Sequence, residues 1–264
     1  MNKIQLVNNN IVSKLLDKDI VFKNNTQEVG LSVYNLDFEI LKNTNLNISY
    51  DNIEETKLAI TFKIKKNVKF KITELRKGLK SKVQYKFYLE QNSQIDIDKF
   101  YNLSGSKELV VIYLNGKDAS INYNFKTICH DKEKYDLMVY HNAPQTISNI
   151  INKGVNNGKG NLIFNVSSFV PSGNVACCLN QMGQIINLTD GLCQINPNLL
   201  IDEFDVKANH SANIGKFSEE AMFYLQSRGI SHSQALNLLI KGFLLEGVTN
   251  NKTIIKKIIN DYWG

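Results

Sequence analysis

Residues Val206–Phe243 read VKANHSANIGKFSEEAMFYLQSRGISHSQALNLLIKGF, and within them one architecture gives way to another. The run opens as a β-type segment with His210 near its end, and two short helical patterns follow. Ser218 is placed to cap the first helix: its hydroxyl can accept from an orphan amide of the first turn, while Glu219 and Glu220 face the positive end of the dipole. Ala221, Met222 and Leu225 make an apolar stripe, Arg228 lies where a cation is favoured, and Gly229 supplies the left-handed residue that stops the helix. A second helix starts at once. Ser231 and Gln234 have the spacing of a capping box, and Ala235, Leu236, Leu238, Leu239, Ile240 and Phe243 give it a broad apolar face.

Upstream of this junction the chain reads as strand. Leu58–Ile64, Val68–Ile72 and Val83–Leu89 largely alternate apolar and polar residues, and Ile95–Ile97, Leu109–Leu114, Ile121–Phe125 and Tyr135–Tyr140 continue the pattern between turns. Short strands of this kind fit a sandwich, a barrel or a β-helix. Corners rich in Gly and Asn at 156–161, 172–174 and 187–191 favour the β-helix, because stacked coils can align corner amides. They separate the segments Leu162–Val166, Val175–Leu179 and Gln184–Leu188, and no sharp repeat period accompanies them. Before residue 52 the chain is rich in Asn and Lys, with a helix expected over Ile11–Lys18 and β-like pieces at Gly30–Tyr34 and Leu36–Leu41. At the other end, Lys252–Tyr262 forms a helix whose stripe, Ile254, Ile255, Ile258, Ile259 and Tyr262, is expected to pack on the two helices before it, a partner groove being the other home for it.

Composition narrows the function classes. A chain of 264 residues can bury about 70–75% of its unfolded surface, enough for one elongated domain or two small ones. The net charge of +6 comes from scattered lysines that often alternate with apolar residues, and the chain has only Arg76 and Arg228 as arginines. That pattern argues for solvated strand faces rather than a nucleic-acid-binding one. Neither a signal-like run nor a membrane-length apolar stretch is visible, so the expected compartment is the cytoplasm. Four cysteines, Cys129, Cys177, Cys178 and Cys193, lack C-x-x-C spacing and read as free thiols; the adjacent pair should face opposite ways in a strand.

Few residues suggest chemistry by type alone. His210 ends a β-type segment and could bind a metal as neutral imidazole, with Cys193 as a soft ligand nearby in sequence; corner and core roles are the plainer readings of both. His141 lies near Thr146 and Ser148 without the acid and exposed nucleophile that a hydrolytic triad needs. Lys153–Gly160, KGVNNGKG, lacks the order of a phosphate loop and reads as a turn. Cys129 and His130 are neighbours that a strand would point apart, and His232 reads as a solvated first-turn residue. Asp190, Asp202, Glu203 and Asp205 are the carboxylates that an alternative, a carbohydrate-active β-helix enzyme, would have to cluster.

The run HSANIGKFSEEAMFYLQSRGIS with the ALNLLIKGF helix, together with YHNAPQTIS at Tyr140–Ser148 and the turn around Pro197, closely resembles the signature of the SufB/SufD family of iron-sulfur cluster assembly proteins. The resemblance implies a mainly β fold: a right-handed parallel β-helix core followed by a small C-terminal α-helical domain. The expected division is a short N-terminal segment over 1–55 that can supply first coils of the core, the core over 56–215 and the helical domain over 216–264. Where SufB-type members carry cysteines, this chain has Met182 and Gly191, and Ser211 replaces the glutamate that follows their histidine. Those departures point to the SufD-like arm. The resemblance further implies a non-enzymatic scaffold subunit whose helices dock a SufC-like ATPase through Phe223, Tyr224, Arg228, Gly229 and Phe243. Its core would pair with a SufB-like subunit, or with a second copy as a homodimer. No cofactor would be held stably; iron or an iron-sulfur cluster would pass transiently near His210 at a partner interface.

Overall fold

Period-two burial shapes the chain from its first strand onward. The strand Thr56–Ile64, for example, buries Leu58, Ile60, Phe62 and Ile64 and turns Lys57, Ala59, Thr61 and Lys63 outward. A computed structural model describes residues 2–8, 10–26, 34–248 and 251–263. The strands are β1 (Asn2–Val7), β2 (Asn10–Leu15), β3 (Ile20–Thr26), β4 (Tyr34–Ile40), β5 (Thr44–Asn52), β6 (Thr56–Ile64), β7 (Lys69–Gly78), β8 (Ser81–Leu89) and β9 (Gln94–Leu103). They continue with β10 (Ser106–Leu114), β11 (Ser120–Cys129), β12 (Glu133–His141), β13 (Ile147–Asn156), β14 (Leu162–Val170), β15 (Cys177–Asn187), β16 (Cys193–Ile201) and β17 (Val206–Gly215), before helices α1 (Glu219–Ser227), α2 (His232–Leu245) and α3 (Lys252–Trp263).

From β4 onward, consecutive strands fall in alternate sheets. The first sheet runs β17-β15-β13-β11-β9-β7-β5-β1-β2 and the second β16-β14-β12-β10-β8-β6-β4-β3, which is a parallel β-solenoid of about seven turns. The absence of a sharp period has a simple cause. Ser81 pairs with Ser106, Ser106 with Glu133, Glu133 with Leu162 and Leu162 with Cys193, so successive coils take 25, 27, 29 and 31 residues. Asn stacking holds the coils at corners and on strands: Asn142 donates to Asn115 (2.8 Å), Asn156 to Asn187 (3.1 Å) and Asn149 to Asn122 (2.9 Å).

Several sequence expectations need correction. Ile11–Lys18 is not helical; its first part is β2, which lies antiparallel on β1, while β3 lies antiparallel on β4, so a reversed strand forms the first edge of each sheet. The pattern I-V-S-K-L-L suits either period, and pairing with an open edge decides. Of Gly30–Tyr34, residues 30–33 lie outside the described residues. Lys153–Gly160 is only partly a turn, because β13 runs to Asn156; Gly154 faces the lumen, where a Cβ would overlap Leu162. Val175–Leu179 and Gln184–Leu188 largely merge into the single strand β15.

The helices pack on the outer face of the first sheet as well as on each other. Ile240 and Leu244 of α2 and Ile255, Ile258, Ile259 and Trp263 of α3 share one cluster with the outward-facing Leu75, Phe100, Ile128 and Val155. The α3 stripe is therefore rotated from expectation, with Trp263 inside and Ile254 and Tyr262 largely exposed. Two nearly buried lysines from adjacent coils meet the end of α2, where a helix favours cations: Lys126 donates to the Glu246 carbonyl at 2.8 Å, and Lys153 pairs with its carboxylate. No helix among the described residues is long and apolar enough to cross a membrane.

The lumen is apolar for most of its length, with Phe38, Phe62 and Phe87 stacked at 4.7 and 5.2 Å. Its middle, however, holds a set of charges that are all at most 3% exposed: Glu74, Arg76, Lys99 and Glu108. Strand parity puts them there, since the alternation through Phe70 and Ile72 continues to Glu74 and Arg76. Arg76 pairs with Glu74, donates to Ser81 (3.0 Å) and Tyr85 (2.8 Å) and stacks on Tyr50. Lys99 donates to Glu108 at 2.9 Å, and Tyr101 hydrogen-bonds both Glu74 (2.9 Å) and Glu108 (2.6 Å). Burial alone would raise the Glu74 carboxyl, but Lys99 and Arg76 more than offset it and hold it below its ordinary value. One coil on, Glu133 has hydroxyl donors, Thr127 and Tyr135, and no cation, so burial pushes it up to about 8.

Two stability experiments follow from this lumen. Arg76→Met strands Glu74 without its guanidinium and should cost about 3–5 kcal/mol in urea unfolding, whereas Glu74→Gln together with Arg76→Met should recover a large part of the loss. Folded Glu133 keeps a proton between 4.5 and about 8 that the unfolded chain has released, so its contribution to stability falls as pH rises through that window. Glu133→Gln should accordingly raise the thermal midpoint at pH 8 and flatten its slope toward pH 5, and an unchanged slope would disprove the assignment.

Candidate partner interfaces

The lumen is covered at its start, where Ile4, Leu6 and Ile20 are buried, and open at its end. Strands β16 and β17 each have a parallel neighbour on one side only, so they present the backbone donors and acceptors of two edge strands. Their inward-facing residues lack a covering coil: Cys193, Ile195, Pro197, Leu199 and Ile201 are half-buried, whereas the equivalent residues one coil back are buried. His210 sits in this last coil. Register pairs it with the buried Gln181, so strand parity puts its imidazole at the open mouth of the lumen, where it is exposed and lacks a hydrogen-bond partner among the described residues.

Beneath His210 the lumen changes character. The main apolar cluster and a smaller one built on Val170, Cys177 and Leu179 leave buried Asn152, Ser168 and Gln181 outside both. Gln181 donates to Ser168 at 2.8 Å and to the Asn198 carbonyl at 3.2 Å, but its own carbonyl oxygen is buried without a partner, as is that of Asn152. Cys193 does not join His210. It begins β16 at the corner beyond the end of β15, and reaching that corner from His210 means passing the last five residues of β17, about 16 Å of strand. Its thiol accepts from Asn156 Nδ2 at 3.5 Å, and burial raises its pKa, which keeps it a thiol. No group of three or more potential metal ligands occurs among the described residues.

The helical end offers a second surface. Ser218 caps α1 by accepting from the Ala221 amide at 3.1 Å, Ser231 and Gln234 form the full capping box of α2, and Gly229 between them has φ +83°. These features end α1 and start α2 where the sequence places the boundary, yet α1 buries none of its residues. Phe223 is 73% and Tyr224 58% exposed, and the Arg228 guanidinium lies 5.3 Å from the Tyr224 ring centre. Phe243 is placed differently: on α2 it meets Phe217 edge-on at 6.4 Å and lies under Lys153 Nζ at 5.0 Å, within the cluster that holds the helices to the first sheet.

The remaining candidates have structural roles. His141 is buried between Thr146 (2.7 Å) and Ser148 (2.9 Å), and burial pushes its pKa down to about 4, so it is neutral. His130 stacks on Tyr262 of α3 at 4.5 Å, while Cys129 points into the lumen. Cys177 is buried and Cys178 is not, as adjacent strand residues require. The carboxylates proposed for a carbohydrate enzyme divide between opposite edges: Asp190 precedes β16, and Asp202, Glu203 and Asp205 follow it, about 30 Å of strand apart. Glu203 holds its own turn, accepting from the Gly173 and Phe204 amides at 2.8 Å.

The family model described as "SUF system FeS cluster assembly, SufBD core domain" matches residues 56–243. The iron-sulfur cluster assembly protein SufD of Bacillus subtilis is 24% identical over 214 residues, which cover 81% of this chain and 46% of that protein. SufD of Escherichia coli is 29% identical over 140 residues, covering 50% and 32%. A SufBD family protein of Staphylococcus haemolyticus is 29% identical over 105 residues, covering 39% and 23%. The matched part of this chain thus spans less than half the length of each of these relatives.

The two aromatic positions predict opposite outcomes. Phe223→Ser should change unfolding free energy by no more than about 0.5 kcal/mol, whereas Phe243→Asp, set against Phe217 and the first sheet, should cost about 2–4 kcal/mol. Equal losses in a denaturant series would show that α1 is packed.

Proposed function

Because this chain belongs to the SufBD core-domain family of SUF-system iron-sulfur cluster assembly, we propose that it is a non-catalytic, SufD-like scaffold subunit of a SufBCD-type complex. Its open last coil pairs with a SufB-like subunit or, without one, with a second copy of itself. Its α1 helix docks a SufC-like ATPase. Iron and sulfide are cargo at this interface rather than resident cofactors, and His210 offers an imidazole to iron from the mouth of the lumen.

The observation that carries this reading is the difference in cover at the two ends of the lumen: Ile4, Leu6 and Ile20 at the start are at most 5% exposed, whereas the inward residues of β16 are half-buried and His210 beside them is exposed. Edge strands left bare are a liability in a free monomer and a template in a complex. The ATPase assignment is supported by the exposed Phe223, Tyr224 and Arg228 on a helix that buries nothing of its own. It leaves Phe243 as a residue that positions α2.

Co-expression with SufB-like and SufC-like chains, followed by size exclusion and iron analysis under anaerobic conditions, tests both contacts. Phe223→Asp with Arg228→Glu should release the ATPase and keep the SufB-like chain. Ala212→Pro, which removes an outward-pointing edge donor of β17, should do the reverse. His210→Ala should leave assembly intact and lower bound iron. Retention of the ATPase by the first variant would overturn the docking assignment, and retention of the SufB-like chain by the second would overturn the pairing.

A further inference from the structure

The helices cover only the first sheet, and the outward face of the second carries a row of like charges. Lys57 of β6, Lys82 of β8, Lys107 of β10 and Lys134 of β12 occupy one register position. Their stems therefore follow one another at the interstrand spacing of about 4.8 Å. Some surface lysines of the solenoid have carboxylate partners: Lys65 with Glu39 and Glu90, Lys71 with Asp98, and Lys77 with Asp51. In this row Lys134 has Asp136 at 3.3 Å, but Lys57, Lys82 and Lys107 have no carboxylate within ion-pair distance among the described residues. Like charges directly opposed on neighbouring strands cost stability, and here three follow each other without relief. Two residues on in each strand, Ala59, Gln84, Leu109 and the Asp136 that pairs with Lys134 form the next outward row and line a depression of about 330 Å³.

We propose that this row is a docking surface for an acidic amphipathic helix of a partner protein, laid along the solenoid axis across β6, β8 and β10. Carboxylates three and four residues apart on a helix are about 5–6 Å from one another, close to the lysine spacing and within reach of flexible stems. The helix's apolar flank would settle on Ala59 and Leu109. Single-stranded nucleic acid fits the same face less well. The aromatic residues there, Tyr88, Tyr113, Tyr140 and Phe169, stack on one another at 4.9, 5.2 and 4.6 Å, so most of their ring faces are already used and bases have few on which to stack. The face also lacks arginine: Arg76 is in the lumen and Arg228 caps α1.

The test uses the full chain and fluorescence anisotropy with labelled probes at low and high salt. The first probe is an alanine-based helical peptide of about 16 residues with glutamates at every fourth position and leucines beside them. The second has the same composition with the glutamates distributed around the helix, and the third is a thymidine oligonucleotide of equal charge. The one-faced peptide should bind about tenfold more tightly than the scrambled one. Its Kd should weaken about tenfold or more at high salt and in K57E/K82E/K107E. K57Q/K82Q/K107Q should lose the same binding while its thermal midpoint rises at low salt, which separates loss of the surface from loss of the fold. Equal affinity for the two peptides, tighter binding of the oligonucleotide, or unchanged binding in the glutamine variant would each overturn the proposal.

Discussion

Between its end coils, every inward-facing side chain of the solenoid rests on the coil before it and is covered by the coil after it. The parallel ladders from β5 to β17 contain no register shift, so a residue's neighbours in the lumen are fixed by counting along the strands. A charged residue at an inward position must therefore find its partner in the same or an adjacent coil. Glu74, Arg76, Lys99 and Glu108 do so, with tyrosine hydroxyls filling the remaining acceptor sites. The constraint lapses at the last coil. The last coil has a predecessor and no successor, so residues that would be core anywhere else in the stack are half-exposed there.

That rule also marks what the sequence could reveal. Period-two alternation and the helix caps at Ser218 and Ser231 are local signals, and both survive in the structure because no tertiary contact opposes them. The stacking itself is long-range. Its sequence trace is blurred by the drift from 25 to 31 residues per coil, and the solenoid was legible mainly through the family motif. The Ile11–Lys18 expectation failed because an open edge recruits any short apolar segment, and periodicity in six residues cannot oppose that. The buried charges were within reach: extending the parity of Phe70 and Ile72 by two positions places Glu74 inside. Treating Lys and Arg as surface residues by type hid them.

Of the candidate site, His210 and the exposed α1 residues could be singled out because a motif fixes their order, but their relation in space could not. Cys193 is near His210 in sequence and remote from it along the coil, since the chain must travel back across the second sheet between them. Phe243 has the same helical spacing as a docking residue. It is turned to the first sheet because Lys153 and Phe217 meet it there.

The connection between the two unpartnered regions is short. Only residues 216–218 separate β17 from α1, and Phe217 within them is packed on Phe243. A displacement of α1 therefore has two routes into the core: through the linker into the strand that carries His210, or through α2 and Glu246 into the coils of Lys126 and Lys153. The first route meets an edge strand with one hydrogen-bonded neighbour, and the second meets strands paired on both sides. The softer path is the one that ends at the imidazole. An edge held by a single ladder has fewer hydrogen bonds to break on local opening than the doubly paired coils behind it.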